Sequence, residues 1–176
     1  ENELNAVNFG VAQERKRVII IAINKNSKHE AKFVSAIQTS ANKKTVRDVI
    51  SDLPEPTFFQ RNLVTSDIKY HPNHWTMYPK SMRFKNPELL DNKTRSFRTI
   101  SWDKPSPTIA YGNREIYVHP EKKRRLSIFE SMLLQGFPKE FVLKGTLSQQ
   151  VTQISNAVPP PMAKQIAVSI KNSIRG

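Results

Sequence analysis

Three polar side chains alternate along the segment that precedes the most apolar run of this chain. Gln13, Arg15 and Arg17 occupy every second position before or at the start of the run 18–23. In an extended segment, alternate side chains point to the same side. Two guanidinium groups and an amide on one side suit phosphate oxygens and base edges, because arginine presents a planar fork of donors. The spacing predicts nucleic-acid contacts, and an ordinary solvated flank is the alternative.

The charge balance narrows the kinds of partner that this chain can have. Its 176 residues include 28 lysines and arginines against 15 aspartates and glutamates, which gives a net charge of +13 and an isoelectric point near 10.1. A surplus of this size favours a polyanionic partner, of which nucleic acid is the commonest. Ribosomal proteins and cationic membrane-surface proteins share this balance, so charge alone does not choose among them.

The residue types that are missing limit the chemistry further. The sequence contains no cysteine, which removes disulfides, thiolate metal sites and a cysteine nucleophile from these residues. A reducing, cytoplasmic setting fits this composition. The longest apolar run is 18–23, whereas a transmembrane helix needs about 20 residues, so no membrane partner is expected. The five glycines do not cluster into a phosphate-binding loop.

The apolar run also predicts a strand over residues 17–23. It is β-branched without alternation, which is typical of a strand covered on both faces of a sheet. A second run of this kind does not occur, so the pattern predicts a sheet completed by another polypeptide or a missing segment. Beyond it, a short helix is predicted over 32–38. Residues 54–118 predict long loops with short strands, including 108–111 and 115–118.

Capping signals place two helices. Thr45 with Asp48, and Ser127 with Glu130, each have the pattern of a capping box. The first box predicts a short helix that ends before the proline at position 54. The second predicts a helix as far as position 135, with Gly136 as its left-handed cap.

Two more helices are predicted near the C-terminus. One covers 148–155, and the last begins at the triple proline 159–161, because proline is tolerated at the first helical position. Apolar residues then recur every four positions: Met162, Ile166, Ile170 and Ile174. This stripe must pack on a partner, and the sequence shows no evident partner within the chain.

The block around Arg15 resembles an element of the DNA (cytosine-5)-methyltransferases. The matching residues are Leu4, Asn5, Ala6, Phe9, Gly10, Gln13, Arg15 and Arg17. In that family these side chains contact DNA near a cytosine that is flipped out of the duplex. The resemblance implies that Arg17 contacts the target cytosine. It places Arg15 in the same catalytic element, and it implies that Gln13 and Arg15 bind DNA and help to hold the strand.

A second block is similar to an element that supports the target recognition domain of the same family. Its matching residues are Arg125, Leu126, Ser127, Glu130, Leu134, Gln135, Gly136, Phe137 and Pro138. Phe129 and Leu133 stand where the family usually has arginine, which removes two potential salt bridges. The stretches 45–54 and 97–109 also resemble parts of that domain. The resemblance implies a mostly architectural role for the helix in this block.

A third block resembles the segment that lines the S-adenosylmethionine pocket in the family. Its matching residues are Gln153, Ile154, Asn156, Ala157, Val158, Pro159, Pro161, Met162 and Ala163. The resemblance implies that Asn156 and Ala157 bind the cofactor, S-adenosylmethionine, which this chain would hold only together with a missing half. Ser155 replaces the usual glycine. A helix cap is the ordinary alternative for Asn156.

A basic stretch in the recognition region supplies further candidates for DNA contact. These are Lys80, Ser81, Arg83, Arg95 and Arg98, flanked by Trp75, Tyr78, Phe84 and Phe97. For any single lysine or arginine, a phosphate contact is commoner than a base contact, and a solvated loop is the alternative. His71 and His74 have the spacing of half a metal site. Neither a cysteine nor another nearby histidine completes it, so no metal is predicted.

The resemblance implies an α/β fragment in three parts. Residues 1–24 supply a strand and a DNA-contacting motif, residues 25–147 a small mixed α+β target recognition domain, and residues 148–176 a C-terminal helical return. The two outer parts belong to a Rossmann-like methyltransferase domain that uses S-adenosylmethionine. The family's glycine-rich cofactor loop, Pro-Cys nucleophile loop and Glu-Asn-Val element do not occur in this sequence.

The resulting interpretation is the C-terminal half of a DNA (cytosine-5)-methyltransferase from a bacterial or phage restriction–modification system. It would recognise double-stranded DNA by sequence and take part in methyl transfer to C5 of a flipped cytosine. A catalytic half with the cysteine nucleophile, as a separate subunit or a missing segment, would be its partner, and this chain alone would be inactive. Two alternatives stay open. One is a stand-alone sequence-specific DNA-binding module without catalytic activity, and the other is a basic nucleic-acid binder indifferent to sequence.

Overall fold

A computed structural model of the chain describes residues 2–24, 26, 43–90, 97–109 and 117–175. Within these residues, short strands and 3₁₀ turns alternate with four α-helices, which makes a mixed α/β fold. Arg95, the predicted helix over 32–38 and the end of the predicted strand 108–111 lie outside the described residues. None of the helices in the described part is both long and apolar enough to cross a membrane.

The N-terminal segment forms a two-stranded antiparallel sheet. Strand β1 (Asn2–Asn5) pairs with strand β2 (Lys16–Ile19). A 3₁₀ turn over Ala6–Phe9 follows β1 and ends at Gly10, which is left-handed with a φ of 73°. The side-chain oxygen of Asn5 accepts hydrogen bonds from the backbone amides of Val7 and Arg15, at 3.5 and 3.0 Å. Asn5 thus holds the turn and brings the start of β2 back against β1.

Strand β2 is shorter and more exposed than the sequence predicted. It covers Lys16–Ile19 instead of 17–23, and the side chains of Val18 and Ile20 are 53% and 75% exposed. In the part of the chain that the structure describes, β2 has a neighbour on one side only, namely β1. The predicted strand is therefore present over fewer residues, and the cover of its exposed side chains was expected from another polypeptide or a missing segment.

The middle of the chain is built from small elements around one buried helix. Its elements are α1 (Arg47–Ile50), β3 (Thr57–Phe58), β4 (Trp75–Thr76), β5 (Arg98–Thr99), β6 (Tyr117–Val118) and α2 (Ile128–Leu134). Strands β3 and β4 are parallel, as are β5 and β6. All residues of α2 are buried, and its apolar residues belong to the main hydrophobic core. Of the predicted strand 115–118, residues 117 and 118 form β6 and residues 115 and 116 lie outside the described residues, whereas residues 108 and 109 are not in a strand.

The capping signals are found where the sequence placed them. The Ser127 hydroxyl accepts from the Glu130 amide at 3.0 Å, and the Glu130 carboxylate accepts from the Ser127 amide at 2.6 Å. Helix α2 ends one residue earlier than predicted, and Gly136 follows with a φ of 79°. Thr45 and Asp48 exchange the equivalent bonds. Helix α1 is a single turn, however, and ends at Ile50, earlier than the predicted end near Leu53 and Pro54.

Two C-terminal helices complete the fold. Helix α3 covers Leu147–Asn156, and α4 covers Pro160–Arg175, so the predicted start of the last helix at the triple proline is confirmed. Met162 is fully buried, and it packs with Ile166 against a cluster from the N-terminal segment that includes Leu4, Phe9 and Val11. The first turns of the apolar stripe thus have a partner inside the chain, which corrects the expectation that none was present.

Candidate functional site

Arg15 joins the first and third blocks of the sequence. Its side chain is 1% exposed, and its Nη2 atom donates to the backbone carbonyls of Ser155 and Ala157, at 2.8 and 2.9 Å. Burial, with a smaller effect from the charge of Arg17, lowers the pKa of Arg15 to about 10. Arg15 is thus still a cation at neutral pH. It fastens the link between α3 and α4 to the start of β2.

Gln13 ties the same segment to the stretch 97–109. It forms a parallel bridge with Ser106, whose amide donates to the Ala12 carbonyl at 2.9 Å and whose carbonyl accepts from the Glu14 amide at 2.8 Å. The Gln13 side chain is fully buried, and neither of its polar atoms has a hydrogen-bond partner among the described residues. The first block therefore touches both the recognition region and the C-terminal helices.

The positions of Gln13 and Arg15 correct one part of the sequence interpretation. Both side chains lie inside the protein, so a direct contact with DNA would require this segment to open. Arg17, one position into β2 beyond Lys16, is partly exposed. Its Nη1 atom donates to the Lys16 carbonyl at 2.7 Å. Of the three residues in the alternating pattern, Gln13 and Arg15 are buried, and Arg17 is the one that solvent can reach.

Asn156 and Ala157 lie where α3 ends. Asn156 is the last residue of the helix and is exposed, while Ala157 is half-buried with its carbonyl held by Arg15. Asn156 ends α3 and does not start α4, so it is not an N-cap. Ser155 lies within α3, and its hydroxyl donates to the Val151 carbonyl at 2.8 Å. The serine that replaces glycine is therefore accommodated by regular helical backbone.

An ion pair in the core supports helix α2. The Arg124 guanidinium donates two bonds to the Glu130 carboxylate, at 2.9 and 3.0 Å, and a third to Glu55 at 2.8 Å. Burial alone would raise the pKa of Glu130, but the charge and hydrogen bonds of Arg124 hold it below its usual range. Arg124 was not predicted from the sequence. Its signal was the basic run 122–125, in which nothing distinguishes Arg124 from Arg125.

His71 and His74, which have the spacing of half a metal site, make contacts within the core instead. His71 stacks on Phe129, with ring centroids 3.9 Å apart. His74 donates from Nε2 to the Pro54 carbonyl at 2.7 Å, and its Nδ1 lies 2.9 Å from the Ser127 hydroxyl. Phe129, which replaces an arginine of the family, is thus a packing residue. Among the described residues, no group of three or more histidine, aspartate or glutamate side chains could hold a metal ion.

The recognition-region candidates separate into two environments. Lys80 and Ser81 line a cavity of about 440 Å³. Arg83 lies in the 3₁₀ turn Met82–Phe84, where its amide donates to the Ser81 hydroxyl at 3.3 Å. Arg98 is exposed on β5. Neither of these two arginines is among the residues that line the cavity.

Comparison with known proteins shows the family. The profile described as C-5 cytosine-specific DNA methylase matches residues 2–172. The type II methyltransferase M.MthTI of Methanothermobacter thermautotrophicus is 32% identical, over 98% of this chain and 56% of its own length. M.NmeDI of Neisseria meningitidis serogroup C, also a type II methyltransferase, is 32% identical over 98% of this chain and 45% of its length. The chain thus spans about half the length of these relatives.

A solved structure shows the same fold. It is described as a DNA modification methyltransferase encoded within a prophage of E. coli, and it superposes with a TM-score of 0.69 over 99% of this chain and 60% of that chain. Its sequence identity is 18%, so this likeness concerns the fold. Since the family profile extends over nearly the whole sequence, this chain belongs to the C-5 cytosine-specific DNA methylase family.

Proposed function

We propose that this chain is the C-terminal half of a DNA (cytosine-5)-methyltransferase. In this proposal, residues 1–24 and 148–176 belong to the catalytic domain, and residues 25–147 form the target recognition domain. The observation that supports it best is the contact of Arg15 with the carbonyls of Ser155 and Ala157, because it assembles two separate blocks of the family into one site. A separate apolar cluster, around Met162, also unites the two outer segments.

A catalytic half would complete the enzyme. The sequence has no cysteine, and it spans about half of its curated relatives. Val18 in β2 and Ile20 just after it have exposed apolar side chains. We place the catalytic half beside β2, where its strands would pair with the free edge and its other elements would pack over these two side chains. Burying apolar surface in this way would stabilise the complex by about 25 cal/mol for each Å² removed from water.

Arg17 is the proposed contact to the target base. A cytosine has to leave the duplex before enzyme groups can reach its ring. In the complete enzyme, a cysteine of the catalytic half would attack C6, C5 would take the methyl group of S-adenosylmethionine, and loss of the C5 proton would then release the cysteine and restore the ring. The guanidinium of Arg17 would bind and orient the flipped base, since its planar fork of donors suits the polar edge of a cytosine.

The segment at the end of α3 would form one wall of the cofactor pocket. Asn156 offers an exposed amide that can both donate and accept, and Ala157 is fixed by the bond from Arg15. These residues fit S-adenosylmethionine as one side of its site, with the other side supplied by the catalytic half. The cofactor supplies the methyl group when bound. The role of Arg15 is to position the backbone beside it.

The recognition domain would choose the DNA sequence. Lys80, Ser81, Arg83 and Arg98 are proposed DNA contacts, as is Arg95, which lies outside the described residues. The net charge of +13 would attract the phosphate backbone. Since the curated relatives are named type II methyltransferases, we place this enzyme in a restriction–modification system.

The proposal is tested by complementation. Methyl transfer from labelled S-adenosylmethionine to mixed-sequence DNA is measured with this chain alone, with a partner chain that has the cysteine nucleophile, and with both. Activity that requires both chains, and that disappears when the partner's cysteine becomes serine, is the expected result. No activity in any mixture, together with sequence-selective DNA binding by this chain, would instead identify a stand-alone binding module.

A further inference from the structure

The cavity beside Lys80 combines aromatic and cationic side chains. Its lining residues are Phe59, Arg61, Met77, Tyr78, Pro79, Lys80, Ser81, Phe84, Phe97 and Arg125. None of these lining residues is acidic. A ligand with both a flat ring and a negative charge would therefore find a favourable surface for each part.

Aromatic rings and a guanidinium lie close together at the cavity, and Tyr78 is the most exposed of these rings. Phe84 and Phe97 lie with their centroids 5.1 Å apart, and the Arg125 guanidinium is 5.0 Å from the centre of the Phe97 ring. Tyr78 touches Phe58 edge-on at 5.6 Å and is nevertheless 62% exposed. Aromatic rings stack on bases of any sequence.

The size of the cavity restricts the ligand further. Its volume of about 440 Å³ falls within the range of about 300–1,000 Å³ that holds one small organic molecule. A paired duplex is read by side chains that reach into its groove, so a concave aromatic site of this size does not suit it. One nucleotide, with its base outside the stack, does.

We infer that this cavity binds a single unpaired nucleotide of the DNA substrate. The base stacks against the exposed ring of Tyr78, and the adjoining phosphates meet Arg61 and Lys80. This inference rests on the proposed function, because it takes DNA as the partner. It adds a second nucleotide site, since neither Arg17 nor any other residue of the first block is among the residues that line the cavity.

The test compares two labelled duplexes that differ by one unpaired nucleotide in one strand. Anisotropy titrations with the full chain give the affinity for each. We expect the bulged duplex to bind roughly tenfold more tightly, because the cost of unstacking a base is already met in it. A 2-aminopurine placed at the bulge should lose fluorescence on binding, as it stacks on the aromatic rings.

Matched variants test whether the cavity causes the preference for the bulged duplex. Tyr78→Ala should remove the preference for the bulged duplex and leave the affinity for the paired duplex within about twofold. The control is Phe141→Ala, which removes a 45% exposed aromatic side chain that is not in the lining and should keep the preference. Equal affinities for the two duplexes would overturn this inference alone. Failure to bind either duplex would overturn the proposed DNA-binding function as well.

Discussion

The Nη2 atom of Arg15 lies 2.9 Å from the carbonyl oxygen of Ala157, although the two residues are 142 positions apart in the chain. The same atom also bonds the Ser155 carbonyl. One buried guanidinium thus fixes the end of α3 against the start of β2. Arg17, the proposed contact to the target base, is two residues further along. The proposed cofactor wall and the proposed base contact are therefore mechanically connected through Arg15.

Replacing Arg15 should destabilise the fold. Arg15→Ala leaves two partly buried carbonyl groups without their donor, and each such loss costs about 1–3 kcal/mol. We expect the free energy of unfolding to fall by about 3 kcal/mol in urea titrations followed by circular dichroism. Arg17→Ala is the matched control, because Arg17 is partly exposed, and its change should stay within about 0.5 kcal/mol. Similar losses in both variants would contradict the role given to Arg15.

Replacing Arg17 should affect the reaction instead. If Arg17 binds the flipped cytosine, Arg17→Ala should lower the rate of methyl transfer in the reconstituted enzyme about 100-fold, the usual effect of removing one such donor. Arg17→Lys keeps the charge but loses the planar fork, so its rate should lie between those of Arg17→Ala and the unaltered chain. A rate that is unchanged in both variants would remove Arg17 from the site.

Features with local causes could be predicted from the sequence. The bonds between Ser127 and Glu130 involve neighbours three positions apart, and Gly136 follows directly at the end of the same helix. Such signals need no knowledge of the fold. The triple proline located the start of α4 for the same reason. In the candidate site, the motif order identified the segments around Arg15 and Ala157, but not the contact between them.

Features that depend on distant partners could not be predicted. Strand β1 has the sequence Asn-Glu-Leu-Asn, which lacks β-branched residues, and it becomes a strand because β2 lies beside it. The alternating pattern suggested that Gln13, Arg15 and Arg17 all face DNA. The contacts with Ser106 and Ala157 turn the first two inward. Likewise, only the folded chain shows that Arg124 is the partner of Glu130.

The core ion pair should be sensitive to the loss of one charge. Glu130→Gln leaves the buried Arg124 without its main counterion, and breaking a buried pair in this way costs about 3–5 kcal/mol. The control is Glu121→Gln, which removes an exposed ion pair with Lys123 at 3.9 Å and should cost less than about 1 kcal/mol. Both losses in the free energy of unfolding are to be measured by urea titration at neutral pH. A small loss for Glu130→Gln would show that Glu55 alone can neutralise Arg124.

Acidification should destabilise the protein before its carboxylates titrate. Burial lowers the pKa values of His71, His74 and His119 below their ordinary value. As the pH falls through about 6.5, the unfolded chain takes up protons that the folded chain resists, so the free energy of unfolding decreases. The pKa of Glu130 is also lowered. The stability that its ionised carboxylate contributes is therefore lost only at lower pH, as that carboxylate becomes protonated in the folded state. Stability that is constant or rises from about pH 7.5 to 5.5 would contradict this.

One variant isolates a histidine in this effect. His119 accepts a bond from the Glu121 amide at Nδ1, and a glutamine oxygen is able to replace that acceptor. His119→Gln cannot be protonated, so its stability should depend less steeply on pH in the same range. The comparison is made by urea unfolding at three pH values. An unchanged slope would show that the other two histidines, and not His119, determine the pH dependence.

The glycine at the end of α2 should be required for its close approach to α4. Gly136 has a φ of 79°, and an added Cβ would lie 2.9 Å from Cγ of Pro161, in the rigid ring that follows the start of α4. Gly136→Ala should therefore lose stability twice, through the left-handed backbone and through this contact, by about 2 kcal/mol or more in urea unfolding. Gly145→Ala is the control. Its φ is 92°, but its Cβ would meet the end of the exposed Gln149 side chain, which can move aside by exchanging its bond from the Thr146 amide for water. Its loss should be about 1 kcal/mol, and equal losses in the two variants would mean that the contact with Pro161 costs nothing.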